Sequence, residues 1–253
     1  MARRLLVRII RSVVDVLGIM LQEGGRRALV SAKPRSIASF RLVQRLKAEG
    51  LHFNSIVDGG ANVGQSARAA SSAFPGCPIY SFEPLPEVAE KLRKNLADIP
   101  EHRVFEMPLG NTAGEIEMGR CSDDQSSSIL ARAEYAGSLL EGTSDAGTQR
   151  VRIGRLDEVL REHEIVPPLL IKLDLQGYEL EALRGATEIL KSASHVLVET
   201  VFTKVYEGEP HFGEIWCFLR EHGFRFVRPL AFARDRSDCI VQADMLFEAG
   251  ERR

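Results

Sequence analysis

Ser55-Ile56-Val57-Asp58-Gly59-Gly60-Ala61-Asn62-Val63-Gly64-Gln65 reads as a strand, a tight turn and the first residues of a helix. The apolar β-branched run delivers a carboxylate to the strand end. The glycines let the backbone approach a ligand without Cβ interference, and Gly64 permits close helix packing. The stretch therefore predicts a cofactor cradle at the first crossover of an α/β fold.

The kind of cofactor follows from Asp58. A dinucleotide site rests a pyrophosphate on this turn and spaces its glycines G-x-G-x-x-G, whereas here Ala61 holds the middle position and an acid ends the strand. A carboxylate there repels phosphate. S-adenosylmethionine carries no phosphate; its ammonium, sulfonium and ribose diol all favour nearby carboxylates and acceptors. Ile79-Tyr80-Ser81-Phe82-Glu83 ends a second apolar run in an acid, 25 positions after Asp58, where a ribose-binding acid is expected one β-α-β unit later.

The 253 residues, 44% hydrophobic and 27% charged, are enough to bury a full core without disulfides. The 33 basic and 35 acidic residues leave a formal charge of -2, which gives no global electrostatic footprint for nucleic acid. Cys77, Cys121, Cys217 and Cys239 have neither C-x-x-C nor zinc spacing and suit reduced thiols in a cytoplasmic protein.

Residues 3–21 form an amphipathic pattern, with Leu6, Ile9, Ile10, Val13, Val14 and Leu17 on one face and Arg4, Arg8, Arg11 and Asp15 in a polar stripe. The charges break the apolar run and no cleavage site follows, so a signal peptide or membrane span is rejected. A cover helix packed on the domain is the preferred reading, and peripheral contact with a membrane or a homodimer partner is the functional alternative. Gly24-Gly25 and Lys33-Pro34 precede a second amphipathic stretch, Ile37 to Ala48. The expected organisation is a helical extension over 1–50 and the main domain over 51–253.

Beyond the glycine turn, helices are expected over Gln65 to Phe74 and Pro86 to Leu96, strands over Arg103 to Met107 and, as an antiparallel extra, Gly114 to Met118. Residues 119–149 are rich in Ser, Asp, Gly and Thr and read as a long surface insertion of the lid or recognition type. A short strand over Val151 to Ile153, a helix over Arg155 to His163, the strand Leu169 to Asp174 and a helix over Leu180 to Leu190 follow. A buried strand over His195 to Glu199, a helix over Phe212 to Glu221 and a closing antiparallel hairpin of Phe224 to Val227 and Ile240 to Phe247 complete the chain. The alternation predicts a doubly wound, mostly parallel sheet covered on both faces.

Ligands in such a sheet collect at the carboxyl ends of its strands. Asp58 and Glu83 are assigned to the cofactor; Asp174 and Glu199 would lie beside the transferable methyl, with Lys172 on the same strand face as Asp174. Asp174, Glu199 or a histidine could take an acceptor's proton, or the two acids could hold a divalent cation, which is not expected because two carboxylates alone are not a ligand set. Lys204, Tyr206 and His211 in the loop after Glu199, with Ser127 and Ser128, are the acceptor-side candidates.

These residues together resemble the FkbM family of class I, S-adenosylmethionine-dependent methyltransferases, collinearly from about Asn54 to Phe247. Asp58-Gly59-Gly60-Ala61-Asn62-Val63-Gly64 is similar to the family's D-x-G-A-N-x-G loop, and Phe82-Glu83-Pro84-Leu85-Pro86 to its F-E-P-x-P ribose segment. Leu109-Gly110 with Gly114, then Ser127-Ser128, match its next landmarks. Ile171-Lys172-Leu173-Asp174-Leu175-Gln176-Gly177-Tyr178-Glu179 resembles K-I-D-x-E-G-Y-E, with Gln176 where many members carry Glu. The resemblance implies a seven-stranded sheet, cofactor contacts from Pro84 and Leu109 besides the loop, and O-methylation of a saccharide, glycolipid or secondary-metabolite hydroxyl. Methylation of nucleic acid or protein, or a non-catalytic scaffold that kept the fold, are the alternatives.

Overall fold

A computed structural model describes residues 36–122, 127–133, 144–235 and 237–250. The amphipathic segment 3–21, the Gly24-Gly25 and Lys33-Pro34 breaks, and positions 123–126 and 134–143 of the 119–149 insertion lie outside the described residues.

Among the described residues nine strands form: β1 (Ser55–Gly59), β2 (Ile79–Phe82), β3 (His102–Phe105), β4 (Gly114–Cys121), β5 (Asp145–Ile153), β6 (Leu169–Leu173), β7 (Ala193–Val201), β8 (Phe224–Arg234) and β9 (Ile240–Ala249). Seven of them make one sheet in the order β3-β2-β1-β6-β7-β9-β8. Its first five strands are parallel, and β9 and β8 add the antiparallel edge expected of the closing hairpin. Every residue of β1 and β6 is buried, as a parallel centre covered on both faces requires.

Strand alternation divides the core in two. Val57, Ile171 and Val196 point into one cluster, Ile56, Leu170 and Leu197 into the other. Helix α1 (Ile37–Ala48) begins at Ser36, whose hydroxyl accepts the Ser39 N–H at 3.1 Å, and buries Phe40, Val43 and Leu46 in the second cluster. Helix α2 (Gln65–Ala73) buries alanines on the same side, and α3 (Pro86–Asn95) starts on a proline suited to the first turn.

Three expectations change. Gly114 to Met118 and Val151 to Ile153 are partners, not separate strands: β4 and β5 form their own antiparallel ribbon, which takes up both ends of the supposed insertion. The helix expected over Arg155 to His163 is only α4 (Leu156–Val159). There Asp157 accepts the N–H groups of Glu188 and Ile189 at 3.1 and 2.9 Å and ties this turn to a neighbouring segment. The helix over Leu180 to Leu190 splits into α5 (Glu179–Arg184) and a 3-10 turn at Ile189–Ser192. The break falls at Gly185, where a Cβ would collide with the carbonyl of Gly110. Helix α6 (Phe212–Glu221) forms as its periodicity predicts.

Candidate active site

The carboxyl ends of β1, β2, β6 and β7 open onto a cavity of about 400 Å³. On one side lies the glycine turn. Gly60 and Ala61 donate to the Phe82 carbonyl at 3.1 and 3.0 Å, and Gly60, Asn62 and Gly64 all have positive φ (74°, 48° and 98°). A Cβ on Gly60 would run into the carbonyl oxygen of Asp174, and one on Gly64 would sit 2.8 Å from Leu92 of α3 and from Leu96 just after it. Glycine is thus required at 60 by the neighbouring strand and at 64 by the next helix.

Glu83 is buried and lines the cavity. Its Oε2 accepts the Asn62 N–H and its Oε1 the Leu85 N–H, both at 3.0 Å. The carboxylate therefore fastens the glycine turn to the end of β2 as well as presenting charge there. Asp58 is placed differently from the expected direct contact: it does not line the cavity, is 1% exposed, and has Lys172 Nζ 3.2 Å away. The register explains this, because β1 and β6 set Asp58 opposite Lys172. Burial alone would lower the lysine's pKa, but Asp58, Asp174 and Asp244 outweigh it and hold the ammonium charged.

On the other side, Asp174, Glu199 and Gln176 converge. Asp174 joins the two sides: its N–H donates to the Gly59 carbonyl at 3.2 Å, its own carbonyl abuts Gly60, and its Oδ2 lies 3.6 Å from Lys172 Nζ. The Gln176 amide donates to Asp174 Oδ1 at 3.0 Å and to Glu199 Oε2 at 3.3 Å, while its Oε1 accepts from the Tyr206 hydroxyl at 3.2 Å. Gln176 (φ 53°) and Gly177 (φ 95°) make the left-handed turn that aims this amide.

The sheet explains the acidity of this side. Antiparallel pairing sets Glu199 directly opposite Asp244, a like-charged cross-strand pair. Burial, then Asp174 and Asp244, push Glu199 well above the ordinary carboxylate range; burial and Asp174 push Asp244 up to about 6. Glu179, 3% exposed, is pushed up to about 7 by burial although its Oε1 accepts the Leu175 and Gly177 N–H groups at 2.6 and 3.3 Å.

The remaining expected residues divide. Ala61, Asn62, Pro84 and Leu109 line the cavity; Gly59 does not, and packs instead on Leu173. Ser127 lines it with its Oγ accepting the Cys121 N–H at 3.1 Å, and Ser128 donates to the Gln176 carbonyl at 2.7 Å. Tyr206 is buried in the wall. Lys204 and His211 are exposed and do not reach it, since His211 sits at the start of α6, its N–H donating to Glu214 at 3.0 Å.

The sequence alone signals no role for Glu179, Glu209 or Asp244, and Gln176 reads there only as a missing charge. Asp244 was accessible through strand alternation, which puts it on the Leu246 face; Glu209 sits in the loop already singled out for Tyr206 and His211. Ser36 and Ser39, from α1, also line the cavity and lie before the resemblance begins. Among the described residues, no group of three or more His, Cys, Asp or Glu side chains is arranged to hold a metal ion, and no helix is long and apolar enough to cross a membrane.

The profile of the family described as the methyltransferase FkbM domain matches residues 58–226, more than half of the chain, and the chain belongs to that family. It is 26% identical over 159 residues to the hexuronic acid methyltransferase AglP of Haloferax volcanii, covering 62% of this chain and 60% of that one. It is 26% identical over 160 residues to the 2-O-methyltransferase NoeI of Sinorhizobium fredii, covering 61% and 66%. The 31-O-demethyl-FK506 methyltransferase FkbM of Streptomyces tacrolimicus is likewise 26% identical, over 196 residues, 68% of this chain and 73% of that one. The chain thus spans less than two thirds of the length of the first two.

Proposed function

We propose that this chain is an S-adenosylmethionine-dependent O-methyltransferase acting on a hydroxyl of a saccharide, glycolipid or secondary metabolite. The observation that carries the reading is the double role of Asp174. Its main chain closes against Gly59 and Gly60, and its carboxylate stands among Gln176, Glu199 and Lys172, so one residue joins the cradle to the chemistry. The named activities of the three relatives support the same class.

The cradle suits this cofactor by its donor set. A carboxylate, backbone groups and a Cβ-free approach face the cavity, and the basic residue lining it, Lys172, is already engaged by two acids, so a pyrophosphate has no cation to meet. Gly60, Ala61, Asn62, Glu83, Pro84 and Leu109 would hold the cofactor, with Asp58 acting from beneath through Lys172. Bound there, S-adenosylmethionine supplies an electrophilic methyl whose bonding pair leaves with sulfur.

The chain's part is to align the acceptor oxygen, exclude water and take one proton. Asp174 is the proton acceptor in this reading. Glu199 stands beside it, its affinity for protons raised by burial and its acidic neighbours, and the Gln176 amide fixes both carboxyls. An N–H donor lies between the two acids, so the same geometry argues against a divalent cation bridging them. The cysteines of the chain are free thiols, which supports a cytoplasmic site of action, and residues 51–253 are read as the methyltransferase domain with 1–50 as its helical extension.

Incubation with methyl-labelled S-adenosylmethionine and a panel of hydroxylated acceptors tests this. Label is expected in a base-stable ether. Label in an ester or amine, or no binding of the cofactor, would contradict it.

A further inference from the structure

The lining of the cavity is unbalanced in charge. Among the described residues, five acids line it (Glu83, Asp174, Glu179, Glu199 and Glu209) against one base, Lys172. That lysine is 8% exposed and lies between Asp58 at 3.2 Å and Asp174 at 3.6 Å.

An acidic lining alone would say little, but Glu209 adds an independent observation. It is 2% exposed and lines the cavity. Its Oε1 accepts the Val205 N–H, whereas Oε2 is buried without a partner among the described residues. It packs on the turn that carries Gln176: a Cβ on Gly177 would lie 2.9 Å from Glu209 Cβ and 3.3 Å from Oε2. Buried acceptors are normally satisfied, so this oxygen calls for a donor. A hydroxyl supplies one. A carboxylate or phosphate supplies none and adds repulsion.

We propose that this cavity takes an uncharged polyhydroxyl acceptor, a neutral sugar that presents a second hydroxyl to Glu209, and rejects acceptors bearing a carboxylate or phosphate beside the methylated hydroxyl. The inference rests on the methyl-transfer reading above and deepens it. Two like charges about 5 Å apart at an effective dielectric of about 20 discriminate on the order of a hundredfold. Burial pushes the Glu209 carboxyl up, which weakens the repulsion, and the preference expected is at least about tenfold.

The test uses the full chain, labelled cofactor and matched pairs of probes: methyl glycosides of glucose, galactose and mannose, each against its hexuronide. Neutral members are expected to react with kcat/KM at least tenfold above their hexuronides. Glu209→Gln, which removes the charge and keeps the shape, should shrink that ratio about threefold or more while leaving cofactor affinity as it was. Equal or faster transfer to hexuronides, no transfer to any neutral hexoside, or a ratio unmoved by Glu209→Gln overturns the inference. Failure of the methyl-transfer reading is distinguished separately, by loss of S-adenosylmethionine binding in calorimetry of the unmodified protein.

Discussion

The glycine-turn side of the cavity is held by main chain, and the Gln176 side is held by side chains. At the first, Glu83 takes two backbone N–H groups, Gly60 lies against the Asp174 carbonyl, and Gly64 lies against α3. At the second, one amide reaches carboxyls from the ends of β6 and β7 and a hydroxyl from the loop beyond β7, while Ser128 arrives from the far side of β4. A main-chain cradle is insensitive to which side chains surround it but intolerant of a Cβ. A side-chain network behaves in the opposite way: single substitutions leave the fold and change the chemistry. In the proposed reading, ligand binding falls to one side and proton control to the other.

The sharpest way to break the contrast is Gly60→Ala. The added Cβ must displace the Asp174 carbonyl while the residue keeps a positive φ, so a loss of stability of about 4 kcal/mol is expected, with cofactor binding lost too. Denaturant melts check it, and a variant as stable as the parent would remove the cradle argument. Next in size is Asp174→Asn. Turnover should fall about a thousandfold, within the range general acid-base groups supply, and full activity would dismiss Asp174 as proton acceptor.

The third effect is on stability. Burial raises Glu179 from 4.5 to about 7, so its neutral form favours the fold: that contribution is present below about pH 4.5 and disappears as pH climbs through about 7. The shift corresponds to up to about 3 kcal/mol between pH 5 and 8. Glu179→Gln should flatten this part of the stability curve, and an unchanged slope would show that other acids cause it. Smallest is Gln176→Leu, which takes the shared donor from Asp174 and Glu199. At neutral pH kcat is expected to fall about tenfold and the pH profile to move to the alkaline side, because Glu199, already pushed up by burial and Asp174, loses a donor to its carboxylate. An unmoved profile would reduce Gln176 to packing.

The same contrast explains what could be read from the chain. The cradle is local: Asp58 to Gly64 and Phe82 to Pro84 are short runs whose glycines, acids and spacing carry their own geometry, and the parallel sheet follows from buried strands such as Leu169 to Leu173, apolar but for Lys172. The Gln176 side is assembled from distant segments. Nothing near Glu199 signals that antiparallel pairing will set it opposite Asp244, and nothing near Gly177 signals that Glu209 will pack against it. Even in the cradle, the residue that looked most like a direct ligand, Asp58, faces Lys172 because the β1–β6 register sets it there. The short helices are hidden in the sequence for the same reason, since Gly185 ends α5 against Gly110, 75 positions earlier.

Calorimetric titration of S-adenosylmethionine into the parent, Glu83→Ala and Asp174→Asn proteins tests the central division most directly. The account predicts at least tenfold weaker binding for Glu83→Ala and an affinity within about threefold of the parent for Asp174→Asn. Unchanged affinity in Glu83→Ala, or lost binding in Asp174→Asn, would contradict it.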